Sequence, residues 1–102
     1  MIRSLVKTEK ESNEINQIFD VFYNGNNPTI NYANTTNRKA ADFLIKKFGL
    51  EKTIGMAHAA VTAFGKEYAP RIFTPYQLRE KLPVLIQFYR DQKKDNGIVT
   101  LS

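Results

Sequence analysis

Arg38-Lys-Ala-Ala-Asp-Phe-Leu-Ile-Lys-Lys-Phe-Gly49, followed by Leu50-Glu-Lys-Thr-Ile-Gly-Met-Ala-His-Ala-Ala-Val-Thr-Ala-Phe-Gly65, decides the fold. Each half ends in a glycine, and each carries apolar residues at helical spacing. In the first half, 100° steps put Ala40, Ala41, Leu44, Ile45 and Phe48 on one side. Arg38, Asp42 and Lys46 follow at i, i+4, i+8 as a solvent-side charge ladder. Phe43 breaks the pattern, because it falls among Lys39, Lys46 and Lys47, about 130° from the centre of the apolar stripe. In the second half Ile54, Ala57, Val61 and Phe64 mark a core face, while Gly55, Met56, Ala59 and Ala63 occupy the far side. A helix that is small or apolar nearly all round belongs at the centre of a bundle. The stretch therefore predicts helices over 36–48 and 51–64, the second one central.

Upstream, residues 21–37 carry no charge, and six of the fourteen residues from Asn24 to Asn37 are asparagine. Asn27-Pro28 forces residue 27 out of the helical region, so this is a loop. Asn34, Thr35 or Thr36 can cap the helix that follows. The asparagines read first as turn and cap residues, with Asn24, Asn34 and Asn37 suitably placed, and second as hydrogen-bonding groups for a partner. Before the loop, Ile15, Ile18, Phe19 and Phe22 recur at i, i+3, i+4, i+7 and predict a helix over 13–24. Thr8-Glu9-Lys10-Glu11 has capping-box spacing, and Gly25 is expected to close the helix in a left-handed conformation. Residues 1–12 read as a tail or short edge strand through Ile2, Leu5 and Val6.

Downstream, Lys66–Phe73 is a connector with an extended Ala69-Pro70. Thr74-Pro75-Tyr76-Gln77 then opens a helix: threonine cap, proline at the first position, glutamine three residues on. Leu78, Leu82, Leu85, Ile86 and Tyr89 hold one face straight through Pro83, which predicts one kinked helix over 75–92. A polar tail follows over 93–102, with Ile98, Val99 and Leu101 spaced for a short strand. The sum is an all-α fold: one domain over 13–92, a compact bundle of about four helices around the central helix 51–64. Leu44, Ile54, Val61, Phe64, Leu78, Leu82 and Leu85 are its expected core.

With 102 residues, 42% apolar and 25% charged, the chain suits one globular domain and lacks the composition of a disordered one. No apolar run approaches the ~18 residues that span a bilayer, and no signal peptide opens the chain, so a cytoplasmic protein is expected. The absence of cysteine excludes disulfides, thiolate metal sites and cysteine nucleophiles. His58 stands alone, expected as a half-buried structural residue, and Glu9, Glu11 and Glu14 sit where they favour a helix dipole. No catalytic constellation, phosphate loop or metal set emerges, and no cofactor is implied.

Charge is the remaining signal. Fifteen basic residues against ten acidic give +5, and the excess lies entirely after residue 37. Lys39, Lys46, Lys47 and Lys52 gather on or next to the helix over 36–48, while Arg79, Arg90 and Lys94 share one side of the last helix. Phe43 amid lysines, and Tyr68, Arg71 and Phe73 in the connector, supply the aromatic and basic pairing used by single-strand binders. The candidate nucleic-acid-binding residues are Arg38, Lys39, Phe43, Lys46, Lys47, Lys52, Arg71, Arg79 and Arg90. The competing reading has lysines solvating helix faces and Phe43 packed against a neighbouring helix. For Phe43 burial is expected, since an exposed phenylalanine is the rarer event in a monomer. A helix-turn-helix across Phe48-Gly49-Leu50 is rejected: Ile45 stands where a small residue is needed, Gly55 and His58 where apolar ones are, and the second helix has hardly a polar side chain for base edges.

Residues 28–92 resemble a helical domain at the C-terminal end of replication proteins from phages and related mobile elements. The resemblance is carried by Asn-Pro-Thr-Ile-Asn-Tyr-Ala-Asn (27–34), Arg38-Lys39-Ala40-Ala41, Leu44-Ile45-Lys46-Lys47-Phe48-Gly49, Tyr68-Ala69-Pro70, Thr74-Pro75-Tyr76-Gln77-Leu78 and Lys81-Leu82. In such proteins a winged-helix DNA-binding domain usually comes first. Without it, the chain is expected to be an excised domain or a free-standing small protein of a mobile element. The resemblance implies a non-enzymatic accessory module of DNA replication in a bacterial host cell, with DNA as partner. The alternative is a protein-interaction module that docks a replication factor or inhibits a host defence nuclease.

Overall fold

Gly49 joins the two halves of the deciding stretch with a single residue. Its backbone sits at φ 94°, ψ 157°, a region essentially closed to side-chain-bearing residues. Its N–H donates to the Ile45 carbonyl at 2.7 Å, and its own carbonyl accepts from the Thr53 N–H (3.0 Å) and Thr53 Oγ1 (2.8 Å). One helix therefore stops and the next starts across it. In the computed structural model, which describes residues 2–101 and the side chains of 12–92, four helices follow in order. They are α1 (Ile2–Gly25), α2 (Thr35–Phe48), α3 (Leu50–Ala63) and α4 (Pro75–Leu101), and among the described residues there is no strand. The all-α bundle expected from the sequence is the fold.

The middle of the chain follows its local signals closely. Asn34 is the cap of α2, its Oδ1 accepting from the Asn37 N–H at 2.9 Å. Thr74 Oγ1 accepts from the Gln77 N–H at 3.2 Å, and Gln77 Oε1 accepts from the Phe73 N–H at 2.9 Å, so the start of α4 is closed reciprocally. Helix α4 runs unbroken through Pro83. The ends differ from expectation. Residues 2–12, read as a tail or edge strand, are the first half of α1, and 93–101, read as a tail with a short strand, complete α4. No proline precedes Pro28 and none follows Pro83, and extending an existing helix gains one hydrogen bond per residue ordered. Thr8–Glu11, read as a capping box, lies inside α1, which starts at Ile2, and its side chains, like that of Lys94, lie outside the described residues.

The core is built where α1, α2 and α4 meet α3. Ile15, Ile18, Phe19 and Phe22 are buried as the periodicity requires, and Leu44, Ile72, Leu78, Leu82, Leu85 and Phe88 complete the interior. Burying each large side chain contributes ~1.5–3 kcal/mol. Helix α3 is turned by about one residue from its expected phase. Thr53, Ala57, Ala60 and Ala63 are buried, while Ile54, Val61 and Phe64, expected in the core, are half-buried. Small residues of α3 therefore face inward, and its larger ones lie at the flank. At Gly25 an added Cβ would sit 2.4 Å from Val61 Cγ1. Gly25 is thus required by close approach, not by the left-handed conformation expected of it; among the described glycines only Gly49 and Gly65 have positive φ. Both α2 and α3 pack against three helices, whereas α1 and α4 barely meet, so the centre assigned to α3 is shared with α2. His58, expected half-buried, is exposed, and Ile86 is 44% exposed where Phe88 takes its place in the core.

The asparagine loop is structural. Asn26 Nδ2 donates to the Ile72 carbonyl (3.0 Å) and Asn27 Nδ2 to the Phe73 carbonyl (2.8 Å), stapling loop to connector. Asn37 Oδ1 accepts from the Tyr76 N–H at 3.1 Å, which ties the first turn of α2 to the first turn of α4. Among the described residues no helix is long and apolar enough to cross a membrane.

Candidate nucleic-acid interface

The Asn37–Tyr76 bond sets two helix starts side by side and so places two aromatic rings and two cations on one face. Phe43 projects from α2 with 46% of its surface exposed, which corrects the expected burial. Its position on the wheel keeps it off the stripe that Ala40, Ala41 and Leu44 bury, and cations cover part of the ring instead. Lys47 Nζ, one turn on, lies 5.7 Å from the Phe43 centroid and 5.7 Å from that of Phe48. From α4, Arg79 Cζ lies 5.7 Å over Phe43 and 5.3 Å over Tyr76, itself 40% exposed. Such contacts are worth ~0.5–1 kcal/mol at exposed sites, enough to order the side chains and too little to lock them. Arg79 is also held by Glu80, whose Oε2 accepts from Nε at 3.1 Å and lies 3.0 Å from Nη2. Exposed Lys39 stands one turn before Phe43 on the same face.

The other candidates scatter. Arg38 does not belong to this face. Its Nη1 donates to Asn16 Oδ1 (3.0 Å) and the Tyr32 carbonyl (2.8 Å), its Nη2 to Ser12 Oγ (2.7 Å), and its guanidinium lies 5.6 Å over Phe19. It fastens α2 to α1. Lys46 pairs with Asp42 at 3.1 Å, one rung of the ladder expected of α2, whose Arg38 turns to α1 instead of solvent. Lys52 is exposed in the first turn of α3, and Arg71 is exposed in the connector. Arg90 rims an apolar groove of about 420 Å³ formed with Met56, Ala59, Ile86 and Tyr89. None of these three shares the ring contacts that define the cluster. In the connector, Tyr68 is 89% exposed at φ 68°, while Phe73 is set edge-on to Phe64 at 6.0 Å.

Tyr76 is the member that sequence reasoning missed. It was absorbed into the capping signal Thr74-Pro75-Tyr76-Gln77, yet its i, i+3 spacing to Arg79 marks an aromatic and a cation on one face. Two other tyrosines are fasteners. Tyr32 donates to Asp20 Oδ1 at 2.5 Å, and burial, with the adjacent Asp20 carboxylate, pushes its phenol up to about 12. Tyr89 donates to the Ala59 carbonyl at 2.8 Å, and burial raises its phenol as well. Among the described residues no three His, Cys, Asp or Glu side chains gather in a way that could hold a metal ion. No protein-family model, curated protein or solved structure matches this chain. The reading of function therefore rests on the geometry of the α2/α4 face.

Proposed function

We propose that the protein is a non-enzymatic nucleic-acid-binding accessory module, of the kind its sequence resemblance to phage-type replication domains implies. The observation that carries this reading is Phe43: an exposed ring held between a lysine and an arginine on a face that also offers Lys39 and Tyr76. An unpaired base stacking on such a ring contributes ~1–3 kcal/mol, and neighbouring cations neutralise the phosphates on either side of it. A base inside a duplex has no free face to offer, so the arrangement favours single strands. Binding to single- and double-stranded DNA across a salt series tests the reading. Salt-dependent binding with a single-strand preference is expected, and absence of binding at about 50 mM salt would remove it.

A second reading is supported by the groove between α3 and α4. Met56, Ile86 and Tyr89 line it and Arg90 rims it, which suits an apolar anchor on a protein partner. If DNA binding fails, a protein-interaction module, including an inhibitor of a host enzyme, becomes the better description.

A further inference from the structure

We infer that Phe43 and Tyr76 form a clamp for one unpaired nucleobase, and that Arg79 fills the clamp until the base arrives; this rests on the nucleic-acid reading above. Two rings from two different helices converge on one planar group, with Arg79 Cζ 5.7 Å over Phe43 and 5.3 Å over Tyr76. Both helices hold these residues firmly. Phe43 stands in the middle of α2 beside buried Leu44, and the Tyr76 backbone is bonded to Asn37 next to fully buried Pro75. The guanidinium, by contrast, sits at the end of a long side chain with only surface partners, Glu80 and the two rings. The backbones that carry the two rings are anchored, and the cation reaches them on a long side chain.

The chemistry of the occupant follows from charge. A guanidinium is flat and delocalised and stacks on aromatic faces, as a base does. An incoming cation would meet Lys47 and Arg79 in a chain of net charge +5. An incoming base is neutral, and the phosphates attached to it are attracted to both cations. When the base takes Arg79's place against the rings, Arg79 exchanges its ring contacts and the Glu80 carboxylate for a phosphate, which a guanidinium can grip with two parallel hydrogen bonds. The displaced residue then becomes part of the grip.

The test compares a twelve-residue oligothymidylate with an oligonucleotide of equal length that is abasic throughout, on the full chain. Wild type is expected to bind the thymidylate about 5- to 150-fold more tightly, the equivalent of one stacked base. Phe43→Ala and Tyr76→Ala should each bring that ratio close to one while salt-dependent binding persists. Arg79→Ala should keep or raise the ratio and lower the salt slope, because the clamp is then already open. Circular dichroism of each variant establishes that it is folded, and Phe43→Tyr, which retains a ring, should restore the ratio. Equal binding of both oligonucleotides by wild type, with salt dependence intact, would overturn the clamp and leave the nucleic-acid reading standing. Loss of the ratio in Arg79→Ala would overturn the displacement step. Failure to bind either oligonucleotide would remove the nucleic-acid reading and the clamp with it.

Discussion

Phe43 and Tyr32 show how one side chain's surroundings decide its role. Phe43 lies half in solvent, so removing its ring vacates little packed volume. Phe43→Ala should lower thermal stability by less than ~1 kcal/mol, far below the ~3–5 expected of a core phenylalanine, and weaken single-strand binding by ~1–3 kcal/mol. Thermal melting and a binding titration on the same sample check both halves. Tyr32 works the other way. Its phenol is pushed from 10.0 to about 12 by burial and by Asp20, and that pKa is higher in the folded chain than in the unfolded one. A raised folded pKa contributes stability that is fully present below pH 10 and is lost as pH climbs towards about 12. The advantage of wild type over Tyr32→Phe in urea unfolding should therefore shrink across that window. A difference that stays constant through it would mean the Asp20 contact does not govern the titration.

At the scale of helices, the inner boundaries were legible, whereas the outer ends of α1 and α4 and the phase of α3 were not. Gly49, Asn34 and the Thr74/Gln77 pair act through bonds a few residues long, so their meaning survives in a bare sequence. The facing of α3 is set by neighbours far along the chain. Choosing between Ile54 with Val61 and Thr53 with Ala60 is a rotation of about 100°, and an alanine-rich helix gives little hydrophobic contrast to choose by. One such neighbour is α1, which meets α3 at Gly25 against Val61, 36 residues apart and invisible to any local pattern. The site was legible to a similar degree. Phe43 announced itself by falling among lysines, but Arg38, equally basic, is taken up by Ser12 and Asn16 on another helix. The α1–α3 contact makes a prediction of its own. Gly25→Ala drives a methyl into Val61 and should cost ~1–3 kcal/mol, while Val61→Ala alone costs ~1. Together the two changes should cost less than their sum, because the second removes the obstruction the first creates. Strict additivity in chemical denaturation would mean the helices do not approach there as described.

For the molecule as a whole, the question is whether +5 is a diffuse excess or a directed one. A diffuse charge attracts any polyanion, and removing any cation weakens binding alike. A directed charge acts through the residues beside the aromatic pair. Lys39 and Lys47 flank Phe43 on α2, Lys46 already lies 3.1 Å from Asp42, and Arg38 is turned inward to α1. The four have the same formal charge within ten residues of sequence, so they separate position from charge. Lys39→Gln and Lys47→Gln should each flatten the slope of log affinity against log salt by about 0.7 on single-stranded DNA, independent of its base sequence. Lys46→Gln should change the slope less, since its carboxylate partner already offsets part of its charge. Arg38→Gln should leave the slope unchanged while lowering stability by ~1–3 kcal/mol, because half-buried Asn16 and Ser12 on α1 lose their donor. Four equal slopes would mean the charge acts at a distance and the α2/α4 face has no privileged role. Two shallow slopes at Lys39 and Lys47, beside an unchanged one at Arg38, would localise phosphate contact to the side of α2 on which Phe43 stands.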